Sequence, residues 1–238
     1  MTLRELGKAA LSPRMLVLAR CLQRRLPVPR WGNLRRTRPF SDVYGFDRGT
    51  PVDRYYLEKF LDAHRADIHG DVLEIQSSGY TLRFGGGVTR AHSVDIDPRF
   101  GATYTCDLAR SAGVIPSNAY DCVLLPNTLP VLRDVDGCLR QALRIVRPGG
   151  TILAAGAAIG QGEPDGDYWR LTEPGWREVA ARVWPGCGIR TVAFGNCLAA
   201  TAAIQGLAHE ELTRAELDVR DARFPVLVGM RCRKPAAA

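Results

Sequence analysis

The chain has 238 residues, 46% of them apolar and 24% charged, and a formal net charge of +7. Such a chain can bury one sizeable core, and the absence of any run of about 18 apolar residues excludes a spanning helix. The charge is uneven: residues 1–40 hold ten Lys or Arg and one acid, the rest 22 basic and 24 acidic residues. The basicity therefore belongs to a leader, and the remainder is near neutral.

In chain order, "LSPRMLVLARCLQRRL" places Met15, Leu16, Leu18, Ala19, Leu22 and Leu26 at helical spacing, a basic amphipathic helix ended by "PVP". "MLVLA" is too short, and too closely flanked by Arg14 and Arg20, to be a secretory core. The stretch "RWGNLRRTRPFSDVYGFDRGTPVDRYY" mixes Gly, Pro, Arg and aromatics and suits a loop or lid. "DRYYLEKFLDAHRADI" reads as a helix. Strands are expected at 71–75, 91–95, 102–105, 120–125, 151–155, in "GIRTVAF" and in "FPVLVGMRCR". Helices are expected in "DVDGCLRQALRIVRPGG", at 174–183 and at 198–218. Seven strands alternating with helices predict an α/β, Rossmann-like, mostly parallel sheet covered on both faces. The expected division is a basic helix and lid over 1–56 and a nucleotide-binding type of domain over 57–238.

Seven cysteines stand at 21, 106, 122, 138, 187, 197 and 232, with no CxxC pair, and the four histidines form no HxH or HxxxH pattern. This spacing argues for reduced thiols in a cytoplasmic protein, with neither a disulfide frame nor a metal site.

In an open parallel sheet, ligands sit beyond the carboxyl ends of the strands. The first strand ends at Glu74 and Ile75 and runs into "QSSG", a turn with Gly79 as its one glycine. The second ends in Asp95, Ile96 and Asp97; an acid there, 21 residues after Glu74, can accept hydrogen bonds from ribose hydroxyls. The third turn offers Asp107 and Leu108 to an adenine, and the fourth strand leads to Asn127. A dinucleotide needs a G-x-G-x-x-G pyrophosphate cradle, which is absent. S-adenosylmethionine has no phosphate and makes a weaker demand for glycine, so this set favours it as cofactor.

The segments "VLEI", "SVDID", "TCDLA" and "YDCVLLPNTLPVLRDVDGCLRQALRIVRPGGTILAA" resemble a class I S-adenosylmethionine-dependent methyltransferase over about residues 70–155. "GFDRGTPVDRYYLEKFL", "GDYWRLT" and "GNCLAATAAIQGLAHEELTRAELD" resemble a bacterial methyltransferase-like subgroup linked to glycan and secondary-metabolite, including antibiotic, biosynthesis. The resemblance implies that fold, that cofactor and a methyl transfer. Many small-molecule members carry His near the fourth strand; here Pro130 and Val131 stand there.

The acceptor chemistry must then come from outside the core sheet. Asp47, Asp167, Tyr168 and Arg170 are the candidates for base and orientation. Tyr44, Arg48, Tyr55, Tyr56 and Trp169 are the candidates for acceptor binding, since Arg pairs with polar groups and aromatic rings stack on sugar or ring faces. The expected partner is a small molecule such as a sugar, glycoside or polyketide, with a homodimer permitted. Two other functions compete: a non-methylating cyclase or rearrangement enzyme on the same fold, and a nucleic-acid methyltransferase. The second is disfavoured by the near-neutral core and the lack of an NPPY- or DPPY-like motif.

Overall fold

The computed structural model describes residues 12–27 and 30–237. The chain divides between Arg38 and Pro39 into two compact units. In the first, Ser12 caps helix α1 (Pro13–Gln23) by accepting the Met15 N–H, and a short 3-10 turn follows at Gly32–Leu34. The expected boundary at 56/57 falls inside a helix of the second unit, α2 (Val52–Ala63), so residues 39–56 belong with the sheet domain.

That unit holds a seven-stranded sheet: β1 (Gly70–Ile75), β2 (Val88–Asp95), β3 (Tyr104–Thr105), β4 (Tyr120–Leu125), β5 (Val146–Ala157), β6 (Gly188–Phe194) and β7 (Leu227–Arg233). The order is β3-β2-β1-β4-β5-β7-β6. The first five strands run parallel, while β7 lies antiparallel between β5 and β6.

Both faces are covered, which is why the central strands read as continuous apolar runs. Side chains alternate between two cores. Leu73, Val123, Leu125, Ile152 and Ala154 face one core with Trp176 and Trp184. Val72, Cys122, Leu124, Leu153 and Ala155 face the other with Leu57, Phe60 and Leu61 of α2. Helix α2 sits so close to β7 that a Cβ at Gly229 would lie 2.5 Å from the Phe60 ring. Helix α4 (Val135–Ile145) buries Val135, Cys138, Leu139, Ala142 and Ile145 on one stripe, and Asp134 caps it by accepting the Gly137 N–H at 2.8 Å. It ends at Ile145 rather than at Pro148-Gly149-Gly150; those three residues lie inside β5 beside a register shift.

The remaining helices are α3 (Gly79–Phe84), α5 (Glu173–Val183), α6 (Cys197–Ile204) and α7 (Arg214–Asp218). The expected single helix over 198–218 is therefore two helices with a 3-10 turn between them. The break has a tertiary cause. Gly206 sits at φ +65°, and a Cβ there would be 2.5 Å from the Ser41 carbonyl oxygen. The chain bends to seat the segment that begins at Pro39. That seat is continued by Phe40 N–H to Gln205 O (2.8 Å), by His209 N–H to Thr50 O (2.8 Å), and by the Arg48–Glu211 ion pair.

At the amino edge of the sheet, Asp71 accepts from both Arg90 (2.6 and 2.8 Å) and Arg147 (2.8 Å), and Arg147 also reaches Asp121 at 2.5 Å. These charges hold Asp71 well below the usual carboxylate range. Functional candidates lie at the opposite edge.

Candidate cofactor and acceptor site

The turn after β1 is built around Glu74. Its buried carboxylate accepts the Tyr80 N–H (3.1 Å), the Thr81 N–H (2.7 Å) and the Thr81 hydroxyl (2.7 Å). Burial pushes this carboxyl up, and the three hydrogen bonds oppose the shift. Gln76 follows at φ +68°, a conformation that glycine adopts without strain. It is held there by its own N–H on the Val94 carbonyl at 2.9 Å. The turn thus makes the bend of a glycine-rich loop with one strained glutamine. Gly79 opens α3, and its N–H faces the Ser77 hydroxyl at 3.4 Å.

Three adjoining compartments line the carboxyl edge, and Val131 borders all of them. The first, about 600 Å³, lies between the ends of β2 and β3 and includes Asp95, Ile96, Asp107 and Leu108. Ile96 is 72% exposed, and Leu108 is buried in the wall. Asp107 spends one oxygen on the Ala109 N–H at 2.9 Å. The second, about 580 Å³, lies over the β1 turn and includes Glu74, Gln76, Tyr80 and Asn127. Ile75, Asp95 and Thr128 border both. Asp95 gives Oδ1 to the Asp97 N–H at 2.7 Å, and its Oδ2 accepts nothing among the described residues.

The third compartment, about 210 Å³, is the smallest, and Phe46, Arg54 and Asn127 separate it from the second. Asn127, itself at φ +48°, donates its amide to Asp53, and its buried Oδ1 has no partner. Asp167 forms an ion pair with Arg170; its side chain is 8% exposed, and Oδ1 is likewise buried and unpartnered. Arg170 is fixed in turn by the Gln161 carbonyl at 2.7 Å. Tyr44, at φ +62°, donates its hydroxyl to Glu163, and its N–H bonds Gln161 Oε1 at 3.1 Å. Burial, ahead of the neighbouring Glu163, pushes the Tyr44 phenol up to about 12, so it is a donor and not a base.

The structure does not bring every candidate here. Asp97 turns to Arg99, whose guanidinium and N–H hold its carboxyl below the usual range. Asp47 is exposed and borders none of the three compartments, and Arg48 is spent on Glu211. Tyr56 is a core residue whose hydroxyl donates to the Leu217 carbonyl at 2.9 Å, and its phenol is pushed up to about 12 by burial. Tyr55 bonds Asp218 at 2.8 Å in a separate charged groove between α2 and α7. Trp169 packs on the core and donates its indole N–H to the Leu132 carbonyl at 2.7 Å. Tyr168 faces the first compartment rather than the third, 46% exposed, with Arg133 over its ring. The backbone N–H groups of Tyr168 and Trp169 both bond the Pro130 carbonyl, so this stretch is pinned to the 3-10 turn Leu129–Val131 that follows β4.

Comparison with solved structures matches this architecture. A protein described as a methyltransferase, in complex with the Trm112 methyltransferase activator from Haloferax volcanii, is 18% identical over 82% of this chain and 95% of its own, with a TM-score of 0.54. A SAM-dependent methyltransferase from Archaeoglobus fulgidus is 12% identical over 76% of this chain and 94% of its own (TM-score 0.51). The DhpI–SAH complex is 16% identical over 80% of this chain and 90% of DhpI (TM-score 0.51). The fold is that of the class I methyltransferases. No family model matches the sequence, and no curated protein does.

On this fold, residues not singled out from the sequence complete the site. Glu163 and Gln161 come from the loop after β5, and Phe46 from the segment seated on Gly206. The polar run 161–170 was a signal for the first two. Nothing in residue type announced Gln76, because its role is a backbone conformation.

Proposed function

We propose that the chain is an S-adenosylmethionine-dependent methyltransferase acting on a small, hydroxyl-bearing acceptor. The observation that carries this reading is the three-part trough, with Asp95 where the first two compartments meet and two unpartnered acceptor oxygens in the third. The residues fit the cofactor. Asp95 Oδ2 suits ribose hydroxyls, the first compartment suits an adenine beside Asp107 and Leu108, and Asn127 Oδ1 suits an ammonium group. Bound there, the cofactor supplies an electrophilic methyl on a sulfonium.

The chain's own residues do the rest. Asp53, Glu163 and Asp167 outnumber Arg54 and Arg170 around the third compartment, and Asp167 Oδ1 awaits a donor. A hydroxyl of the acceptor would donate to that oxygen, which places Asp167 to take up the proton that the hydroxyl gives up. Arg170 holds the carboxylate in place, and Phe46 and Val131 put apolar surface beside it. A sugar, a glycoside or a secondary metabolite of the resembled bacterial subgroup meets this demand for hydroxyl donors.

The test combines a product screen by mass with Asp167→Asn. A mass gain of one methyl in place of hydrogen on polyhydroxy acceptors is expected. The variant should lose roughly a hundredfold or more in kcat, because a general base contributes about 10²–10⁴-fold, while S-adenosylhomocysteine affinity stays intact. A loss below about fivefold removes Asp167 as the base. Cofactor binding with no methylated product would assign the fold a scaffold role instead.

A further inference from the structure

The leader carries an unusual combination of side chains. Helix α1 has no buried residue, and no acid follows its N-cap within the first turn. Met15, Leu18, Ala19 and Leu22 fall on one stripe at i, i+3, i+4 and i+7, and Leu22 is 67% exposed. Beyond it, Trp31 is 57% exposed and Leu34 is also exposed. Trp31 and Leu34 border the same broad cleft as Val17, Leu18 and Cys21. Interleaved with these are Arg14, Arg20, Arg24, Arg25, Arg30, Arg35, Arg36 and Arg38, without one Asp or Glu between Ser12 and Arg38.

We infer that α1 and residues 30–38 form a docking surface for an anionic lipid bilayer. Apolar side chains left in water gain by entering the acyl boundary, and an indole is suited to the headgroup level. Arginines beside them meet lipid phosphates, so charge complementarity selects an anionic surface over a neutral one. Nucleic acid would attract the same arginines but would leave the leucine stripe in water. Among the described residues no helix is long and apolar enough to cross a membrane, so this helix lies on the surface.

The experiment is co-sedimentation of the full chain with vesicles of phosphatidylcholine alone or mixed with phosphatidylglycerol. Partition onto the anionic vesicles should exceed that onto neutral ones by roughly tenfold or more. The double variant Leu18→Glu with Leu22→Glu should lose that binding by a similar factor. Its thermal melt should stay unchanged, because neither residue is buried. Arg24→Gln with Arg25→Gln should also lower the partition, and added salt should weaken it. Equal partition of wild type and the Leu18/Leu22 variant would overturn the inference. So would retention on duplex DNA with no binding to either vesicle.

Discussion

Asp95 and Asp97 stand two residues apart at the end of β2, and either could be the ribose acid by sequence alone. The structure separates them by what each already holds. Asp95 spends Oδ1 on the Asp97 N–H at 2.7 Å, borders the trough, and has no partner on Oδ2 among the described residues. Asp97 spends both oxygens on Arg99, at 2.8–3.0 Å for the Nε contacts. Asp95→Asn keeps the shape and an acceptor for the Asp97 N–H but removes the charge. A hydrogen bond to a charged group is worth about 1.5–3 kcal/mol. Water reaches the trough, so a net loss of about 2 kcal/mol is the reasonable value, which is roughly a 30-fold weaker complex. Asp97→Asn removes a contact made only to an exposed Arg and should change affinity less than about twofold. Isothermal titration of S-adenosylhomocysteine into both variants reads the difference. Equal losses in the two, or a larger loss in Asp97→Asn, would refute the assignment of Asp95. No binding by wild type would remove the cofactor proposal itself.

Two further outcomes concern the frame around the site. Gln76→Gly should leave stability unchanged or raise it by up to about 1.5 kcal/mol, because relief of about 1–2 kcal/mol of left-handed strain opposes a glycine entropy cost of about 0.5–1 kcal/mol; urea unfolding measures it, and Gln76→Val should be clearly destabilised. Asp71→Asn should cost about 1–2 kcal/mol at neutral pH, at the low end of charged hydrogen bonds because Arg90 is solvent-exposed. The folded Asp71 carboxyl is held below its unfolded value, so its contribution is present above the ordinary carboxylate range and lost as pH falls towards the folded value. The gap between wild type and variant in urea should therefore shrink in acid, and a gap that grew there would contradict the linkage.

The sheet was legible because its central strands are short apolar runs bounded by turn residues, and neighbours within such a run, Val72 and Leu73 or Leu124 and Leu125, then pack into opposite cores. The helix over 198–218 was misread because its alanine-rich pattern continues through a bend imposed by Ser41, a residue more than 150 positions away. The candidates Tyr44, Asp47, Arg48, Tyr55 and Tyr56 lie close in sequence, and the fold disperses them. Successive residues of a helix point about 100° apart, so Asp53 and Arg54 reach the trough while Tyr55 and Tyr56 turn to α7 and the core. Trp169 looked like an acceptor platform by its neighbours Asp167 and Arg170. Its indole N–H needs a buried acceptor, and Leu132 supplies one on the core side.

The turn "QSSG" is the part of the sequence whose meaning depended most on geometry. A pyrophosphate needs free N–H groups where the chain enters the first helix. Here four of those groups are already committed. The N–H groups of Tyr80 and Thr81 lie on Glu74, that of Gln76 on Val94, and that of Ser77 on Ile75. Glu74 thus supplies, from within the chain, the anion that such a turn would otherwise take from a ligand. A second anion would meet a buried carboxylate and, among the turn's N–H groups, only those of Ser78 and of Gly79, the latter 3.4 Å from the Ser77 hydroxyl. The missing glycines and the buried glutamate therefore make one arrangement: the turn keeps the bend and places its own carboxylate on the helix N–H groups, and in the proposed reading Asp95 and Asn127 would make the polar contacts to a ribose and an ammonium group. That chemistry suits a cofactor without phosphate, and it is why a Gly-poor turn can coexist with an otherwise ordinary trough.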